Sequence, residues 1–341
     1  MNFPRVAVVN PVVHTDAVTG PRSAVVVNPV KVPDLDLLRR TIVEGLATKG
    51  WPEPMWLETT PEDAGRGQAT KAVEDGAELV FVSGGDGTVM AVVTALAGTD
   101  VALAVLPAGT GNLLATNLGL STDAATGVQV ALDGGRRRID VGVVEDQCFA
   151  VMAGMGFDAQ MLEGTSETAK KHIGWVAYVG GALKYIRDKP MNLIISLDGK
   201  PALHRRPRTV IVGNVGRLQG GVRLLTEADP ADGKLDIAIL SPRNLAHWAA
   251  LGWAVVRRSE RVPRMETYTA ASIEIRSAKP QPRQLDGDLI EAGKSMSISV
   301  RPGALLLCVP QPDSDPDLAY DASAAERAAE EVRAAAEKAA E

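Results

Sequence analysis

The chain has 341 residues, of which 45% are apolar and 23% charged, with a formal net charge of -6. That length exceeds one ordinary domain, and that composition excludes a disordered, collagen-like or disulfide-dense chain. An acidic balance also speaks against nucleic acid as the main partner, because such binding draws its affinity from phosphate neutralisation by Lys and Arg.

The start, Met1-Asn2-Phe3-Pro4, lacks the charged and apolar regions of a signal peptide. No segment has the roughly 18 unbroken apolar residues of a membrane span. Cys148 and Cys308 sit in apolar runs without CxxC spacing, which reads as two buried, reduced thiols. These features predict a cytoplasmic protein. Its four histidines, His14, His172, His204 and His247, have no zinc-ligand spacing.

Residues 6–12 (VAVVNPV) nearly repeat residues 24–30 (AVVVNPV), and only the second copy leads promptly into a helical pattern. Asn28-Pro29 is therefore taken as the working turn. Strands are predicted at Ala24–Val27, Met55–Thr59, Glu78–Val82 and Val101–Leu106, and helices at Leu35–Lys49, Pro61–Glu74, Thr88–Ala97 and Asn112–Asn117. Short β-branched runs alternating with helical segments predict a parallel sheet covered by helices. After Asp140 the pattern becomes short strands separated by turns such as Asp198-Gly199, Asp232-Gly233 and Asp286-Gly287, which predicts a mainly β unit. Helical patterns interrupt it near 168–187 and 244–258. Both mix basic and aromatic residues, which suits either packing on the domain or resting on lipid headgroups. The division expected is an α/β nucleotide-binding domain over 1–139, a β domain over 140–303 and an acidic Ala/Glu-rich tail over 311–341, with strand 304–310 free to pair back onto the first unit.

The strongest chemical signal is Ser83-Gly84-Gly85-Asp86-Gly87-Thr88, between an apolar strand and a helix. Glycines at such a junction allow close backbone approach, and amides opening a helix attract phosphate oxygens. Asp86 adds a carboxylate able to hold Mg²⁺ or orient a hydroxyl. A second such turn, Pro107-Ala108-Gly109-Thr110-Gly111-Asn112, follows the next strand. Neighbouring strand ends of a parallel sheet bring both to one crevice. Neither turn is a Walker A loop or a dinucleotide fingerprint.

GGDGT followed by LPAGTGN resembles the diacylglycerol kinase catalytic domain shared by bacterial lipid kinases, sphingosine kinases and ceramide kinases. The resemblance runs from about Ala24 to Pro310. It implies an α/β N-terminal domain with a parallel sheet and helices like those of NAD kinases and phosphofructokinases, a C-terminal β-sandwich, and ATP in the cleft between. On that basis Asn28, Pro29, Lys31, Thr60, Gly84, Gly85, Asp86, Gly87, Thr88, Gly109, Thr110, Gly111 and Asn112 contact the nucleotide. The segment Asp229-Pro230-Ala231-Asp232-Gly233-Lys234 resembles a loop that holds a structural Mg²⁺ in bacterial members, which makes Asp229, Asp232 and the Lys234 backbone its candidate ligands; a plain Asp-Gly turn is the other reading. Leu285-Asp286-Gly287-Asp288 stands where the family carries DGE, so Asp288, Asp286 and Asp86 are the candidate proton acceptors. Met90-Ala91 departs from the family's Asn-Glu. The expected activity is ATP-dependent phosphorylation of a lipid hydroxyl, diacylglycerol or a related alcohol such as a sphingoid base, with peripheral contact to a membrane and a homodimer left open. An NAD kinase-like small-molecule kinase and a catalytically silent regulator are the alternatives.

Overall fold

The computed structural model describes residues 20–156, 190–216, 224–225, 228–256 and 262–310. The β-branched runs of the first third form β1 (Ser23–Val27), β2 (Met55–Glu58), β3 (Leu79–Gly84) and β4 (Ala102–Pro107), parallel and ordered β4-β3-β1-β2. All five residues of β1 are buried, as in a sheet covered on both faces. Alternation then assigns each side chain. Val25 and Val27 join Phe81 in the core under α1 (Leu35–Thr48), while Val26, Val80 and Val82 face the opposite way. Asp34 caps α1 by accepting from the Leu37 amide at 2.8 Å, and Leu38, Ile42 and Leu46 form its buried stripe. The opposite face is covered by α2 (Arg66–Glu74) and α3 (Asp86–Leu96).

Two helices start elsewhere than expected and one was not foreseen. Asp63 accepts from the amides of Gly65 and Gly67, which holds 60–65 in a turn and delays α2 to Arg66. Gly85 is the N-cap of α3, so that helix includes Asp86 and Gly87. A short helix, α4 (Leu113–Asn117), opens the stretch after the second glycine turn. α5 (Ala124–Asp133) follows it and packs beside α1; its stripe is only Val128 and Ala131, and Gly127 lets Leu106 approach.

The remainder is antiparallel, built from β5 (Gly135–Val144), β6 (Gln147–Phe149), β7 (Met152–Met155), β8 (Leu193–Leu197), β9 (Leu203–Arg205), β10 (Thr209–Gly213), β11 (Leu235–Leu240), β12 (Met265–Ala270), β13 (Ser272–Leu285) and β14 (Asp288–Val309), with α6 (Leu245–Val256) between β11 and β12. Phe149, Met155, Ile195, Val212, Ile237, Ile275 and Ile298 fill its core. Asp198-Gly199 and Asp286-Gly287 have positive φ at both residues and close hairpins. Asp232-Gly233 does not: only Gly233 has positive φ, and the turn leads into β11. β14 joins the two halves. It leaves the β13 hairpin, pairs antiparallel with β5, and sets Leu306 and Leu307 parallel to Ala102 and Leu103 of β4. Cys148 and Cys308 are buried and free. No described helix is long and apolar enough to cross a membrane. The 6–12 repeat, the helical pattern of 168–187 and the 311–341 tail lie outside the described residues.

Candidate active site

Three parallel strands end at one edge, and their hydrogen-bond ladder continues into the loops. The Asn28 amide donates to the Ser83 carbonyl at 2.8 Å, and the Ala108 amide donates to the Gly84 carbonyl at 3.1 Å. α3 opens directly there on Gly85 with no side-chain cap, which leaves its first turn suited to anionic oxygens. The glycines are required by contact. A methyl on Gly109 would lie 2.8 Å from the Gly85 Cα, and one on Gly84 would lie 2.7 Å from the Thr88 Cβ. The two turns therefore touch backbone to backbone.

Side chains lock this arrangement. Asp86 accepts from the Leu113 amide at 2.6 Å, tying α3 to the entrance of α4. Burial pushes its carboxyl above the usual range, against the hydrogen bonds from Leu113 and Asn112. Asn112 takes a left-handed φ of 46° and closes the second turn by accepting from the Gly109 amide and donating to the Gly109 carbonyl. Asn28 Nδ2 donates to the Thr88 hydroxyl at 3.3 Å, while its Oδ1 accepts from the Val30 amide. Lys31, Thr60 and Thr110 are exposed at the surface of these loops.

The facing wall is the tip of the β13–β14 hairpin. Positive φ values of 47° at Asp286 and 98° at Gly287 turn it tightly and send the two acids to different surroundings. Asp286 is buried and accepts from the amides of Ala150, Val151 and Met152 at 2.6–3.0 Å. Burial nonetheless pushes its carboxyl up to about 7, with the charge of Asp86 acting in the same direction. Asp288 is exposed, and its Oδ2 lies 3.2 Å from where a methyl on Gly87 would stand. Asp288 lines a cavity of about 250 Å³. Gly87, Met90, Ala91 and Thr94 line it along one face of α3, so the Met90-Ala91 departure leaves that wall uncharged. Arg66 and Asp146 form an ion pair at 3.4 Å among its lining residues.

The candidate metal loop forms a second acidic group. Asp229 Oδ1 accepts from Arg137 and the Ala231 amide, and Asp232 Oδ1 accepts from the Lys234 amide. Beside them stands Asp140, which sequence reasoning missed. It is buried and accepts from the Gly233 and Gly303 amides, each at 2.7 Å. Burial first, then the charges of Asp232 and Asp229, raise its carboxyl to about 6. The signal available was an acid flanked by Ile139 and Val141 in the apolar half of its strand. No three His, Cys, Asp or Glu side chains converge as a metal cage among the described residues. The loop instead offers a second oxygen on each of Asp229 and Asp232, plus the Lys234 carbonyl. That donor set fits Mg²⁺, which keeps several waters.

The two acidic groups are linked. Asn214, also unforeseen, donates from Nδ2 to the Asp140 carbonyl at 2.7 Å and to the Ala150 carbonyl at 3.1 Å, and the Ala150 amide donates to Asp286. The structure thus gathers Asp86, Asp286 and Asp288 with both glycine turns, and ties Asp229, Asp232 and Asp140 to them through a buried amide.

Residues 23–144 match the family described as diacylglycerol kinase catalytic domain, and residues 151–309 match the YegS C-terminal NAD kinase beta sandwich-like domain. The Pseudomonas putida protein named "Probable lipid kinase YegS-like" is 32% identical over 278 residues, spanning 80% of this chain and 90% of that protein. A Mycobacterium tuberculosis protein named diacylglycerol kinase is 32% identical over 174 residues, or 49% of this chain; there the matched region spans only 56% of the relative. A crystal structure of a Bacillus anthracis diacylglycerol kinase superposes with a TM-score of 0.68 at 22% identity, covering 85% of this chain and 97% of the other. The last likeness establishes the fold.

Proposed function

The chain belongs to the diacylglycerol kinase catalytic-domain family, and from that premise we propose that it transfers the γ-phosphoryl group of ATP to the hydroxyl of diacylglycerol or a related lipid alcohol. The observation that carries this reading is the backbone contact of two glycine turns at Gly85 and Gly109, facing the Asp286-Gly287-Asp288 hairpin across one cleft.

In this reading, the α3 first turn and the 109–112 turn receive the phosphates, with Asn28, Pro29, Lys31 and Thr60 beside the nucleotide. The acceptor hydroxyl enters along the uncharged wall of Met90 and Ala91. Its oxygen attacks the γ-phosphorus in line, the bond to the β-bridging oxygen breaks, and the hydroxyl proton passes to a carboxylate. ADP and the lipid phosphate remain. Positioning and charge complementarity supply most of the acceleration in such a transfer.

Asp288 is the favoured proton acceptor because it is exposed and lines the cavity, whereas Asp286 is buried behind the hairpin. Asp286 then acts as a positioning residue, holding the 150–152 backbone against the hairpin. Asp86 orients the loops and adds negative charge near the reacting hydroxyl. Mg²⁺, when bound by Asp229, Asp232 and the Lys234 carbonyl, supplies hard positive charge to an acidic loop.

The test is transfer of labelled phosphate from Mg·ATP to diacylglycerol micelles, sphingosine and NAD in parallel. Labelled phosphatidic acid is the expected product. Labelling of NAD alone selects a small-molecule kinase, and nucleotide binding without labelling of any acceptor contradicts the proposal.

A further inference from the structure

A helix that is apolar on every side belongs in a core, yet α6 has an outward face. Its twelve residues contain no Asp, Glu, Lys or Arg. Leu251 and Ala254 are buried, whereas Ala246, Ala250 and Trp253 face outward, with Trp253 51% exposed. Spacing of four and three residues puts the outward group on one side of the helix.

The end of the sheet beside α6 is basic. The Arg208 amide donates to the Leu240 carbonyl, Arg208 Nε to the Pro242 carbonyl, and the Ser241 amide to the Arg264 carbonyl, all within 3.0 Å. These bonds bring together one end of β10, β11 and β12. The Arg243 amide then donates to His247 Nδ1, joining that end to the first turn of α6. Arg206, Arg243 and Arg264 are exposed there and Arg208 is half-buried. Glu266 adds little opposing charge because Arg205 holds it at 2.9 Å.

We infer that this face docks the protein on an anionic bilayer, with Trp253 in the headgroup layer and the arginines against lipid phosphates and carboxylates. Trp prefers that boundary, and each arginine near such a surface adds roughly fivefold to partitioning. Charge complementarity selects the bilayer over a neutral surface. The outward Ala and Trp face selects it over a purely ionic partner. The placement also suits a lipid acceptor: β10 runs from Thr209 at this face to Gly213 opposite Met152, whose carbonyl accepts from the Asp286 amide. Four strand steps put the face about 13 Å from Asp286 along the sheet. The relevance of docking rests on the lipid-kinase reading, but the docking itself is measurable without it.

The experiment is sedimentation of the full chain with vesicles of phosphatidylcholine alone and of equal parts phosphatidylcholine and phosphatidylserine. Activity on neutral detergent micelles is measured on the same samples. Partitioning is expected only with phosphatidylserine and should weaken with salt. R206E combined with R264E should lower it at least tenfold, and W253A severalfold, with micellar activity unchanged. Undiminished vesicle binding by both variants overturns the inference, as does a change only in self-association, which would give the face to a second copy of the chain. Vesicle binding without phosphoryl transfer would retain the docking face and remove the kinase reading.

Discussion

The two walls of the cleft are built on different principles. The N-terminal wall leans on backbone: Gly109 lies directly against the Gly85 backbone, and across the loops Asn28 bonds Thr88 and Asp86 bonds the Leu113 amide. The C-terminal wall presents carboxylates, one sealed by three amides and one exposed. A backbone wall fixes where a charged substrate lies, and a carboxylate wall determines which protons move. Damage to the first should therefore appear in geometry and nucleotide binding, and damage to the second in proton transfer and pH dependence.

The largest effect that sharpens this contrast is at Asp286. Its folded value near 7 stands above its ordinary value of 3.8, so its contribution to stability is largest below about pH 4 and is lost as pH rises through 7. At about 1.4 kcal/mol per unit, the wild type should lose about 4 kcal/mol against Asp286→Asn between pH 4 and pH 8. Urea midpoints at both pH values check this, and a pH-independent difference contradicts it. Next is Gly109→Ala. Its methyl meets the Gly85 backbone, which cannot swing aside as a side-chain tip can, so kcat/KM should fall about 100-fold. Gly87→Ala is the companion variant, because its methyl meets only the Asp288 carboxylate, and it should retain most nucleotide affinity. The smallest effect concerns the second acidic group. Mg²⁺ at ten times its Kd adds about 1.4 kcal/mol, or roughly 2–4 °C in Tm. Asp232→Asn should remove that shift when thermal unfolding is followed with and without Mg²⁺.

Legibility in the sequence followed the range of the interactions. The glycine turns could be read because strand, turn and helix are contiguous there, and a glycine pair at a strand end has few other uses. Asp86, Asp286 and Asp288 were recognised by motif, but the sealed surroundings of Asp286 were not, since they depend on amides of 150–152 more than 130 residues away in sequence. Asn214 escaped notice for the same reason: it touches Asp140 and Ala150, 74 and 64 residues earlier. Asp140 carried a faint signal as an acid within the apolar half of β5. In the fold, the parallel half followed directly from alternation of strand and helix patterns. α5 did not, because small residues and Gly127 dilute its stripe, and the dual pairing of β14 has no local signature at all.

The most direct test of the central claim is phosphoryl transfer from Mg·ATP to diacylglycerol by wild type, Asp86→Ala and Asp288→Asn, with ATP affinity measured separately on each. Loss of a positioned carboxylate acting as proton acceptor costs about 100-fold or more in rate. The account predicts that loss for Asp288→Asn with ATP affinity within severalfold of wild type, and a loss of transfer for Asp86→Ala. Full transfer by both variants would contradict the assignment of this cleft as the catalytic site.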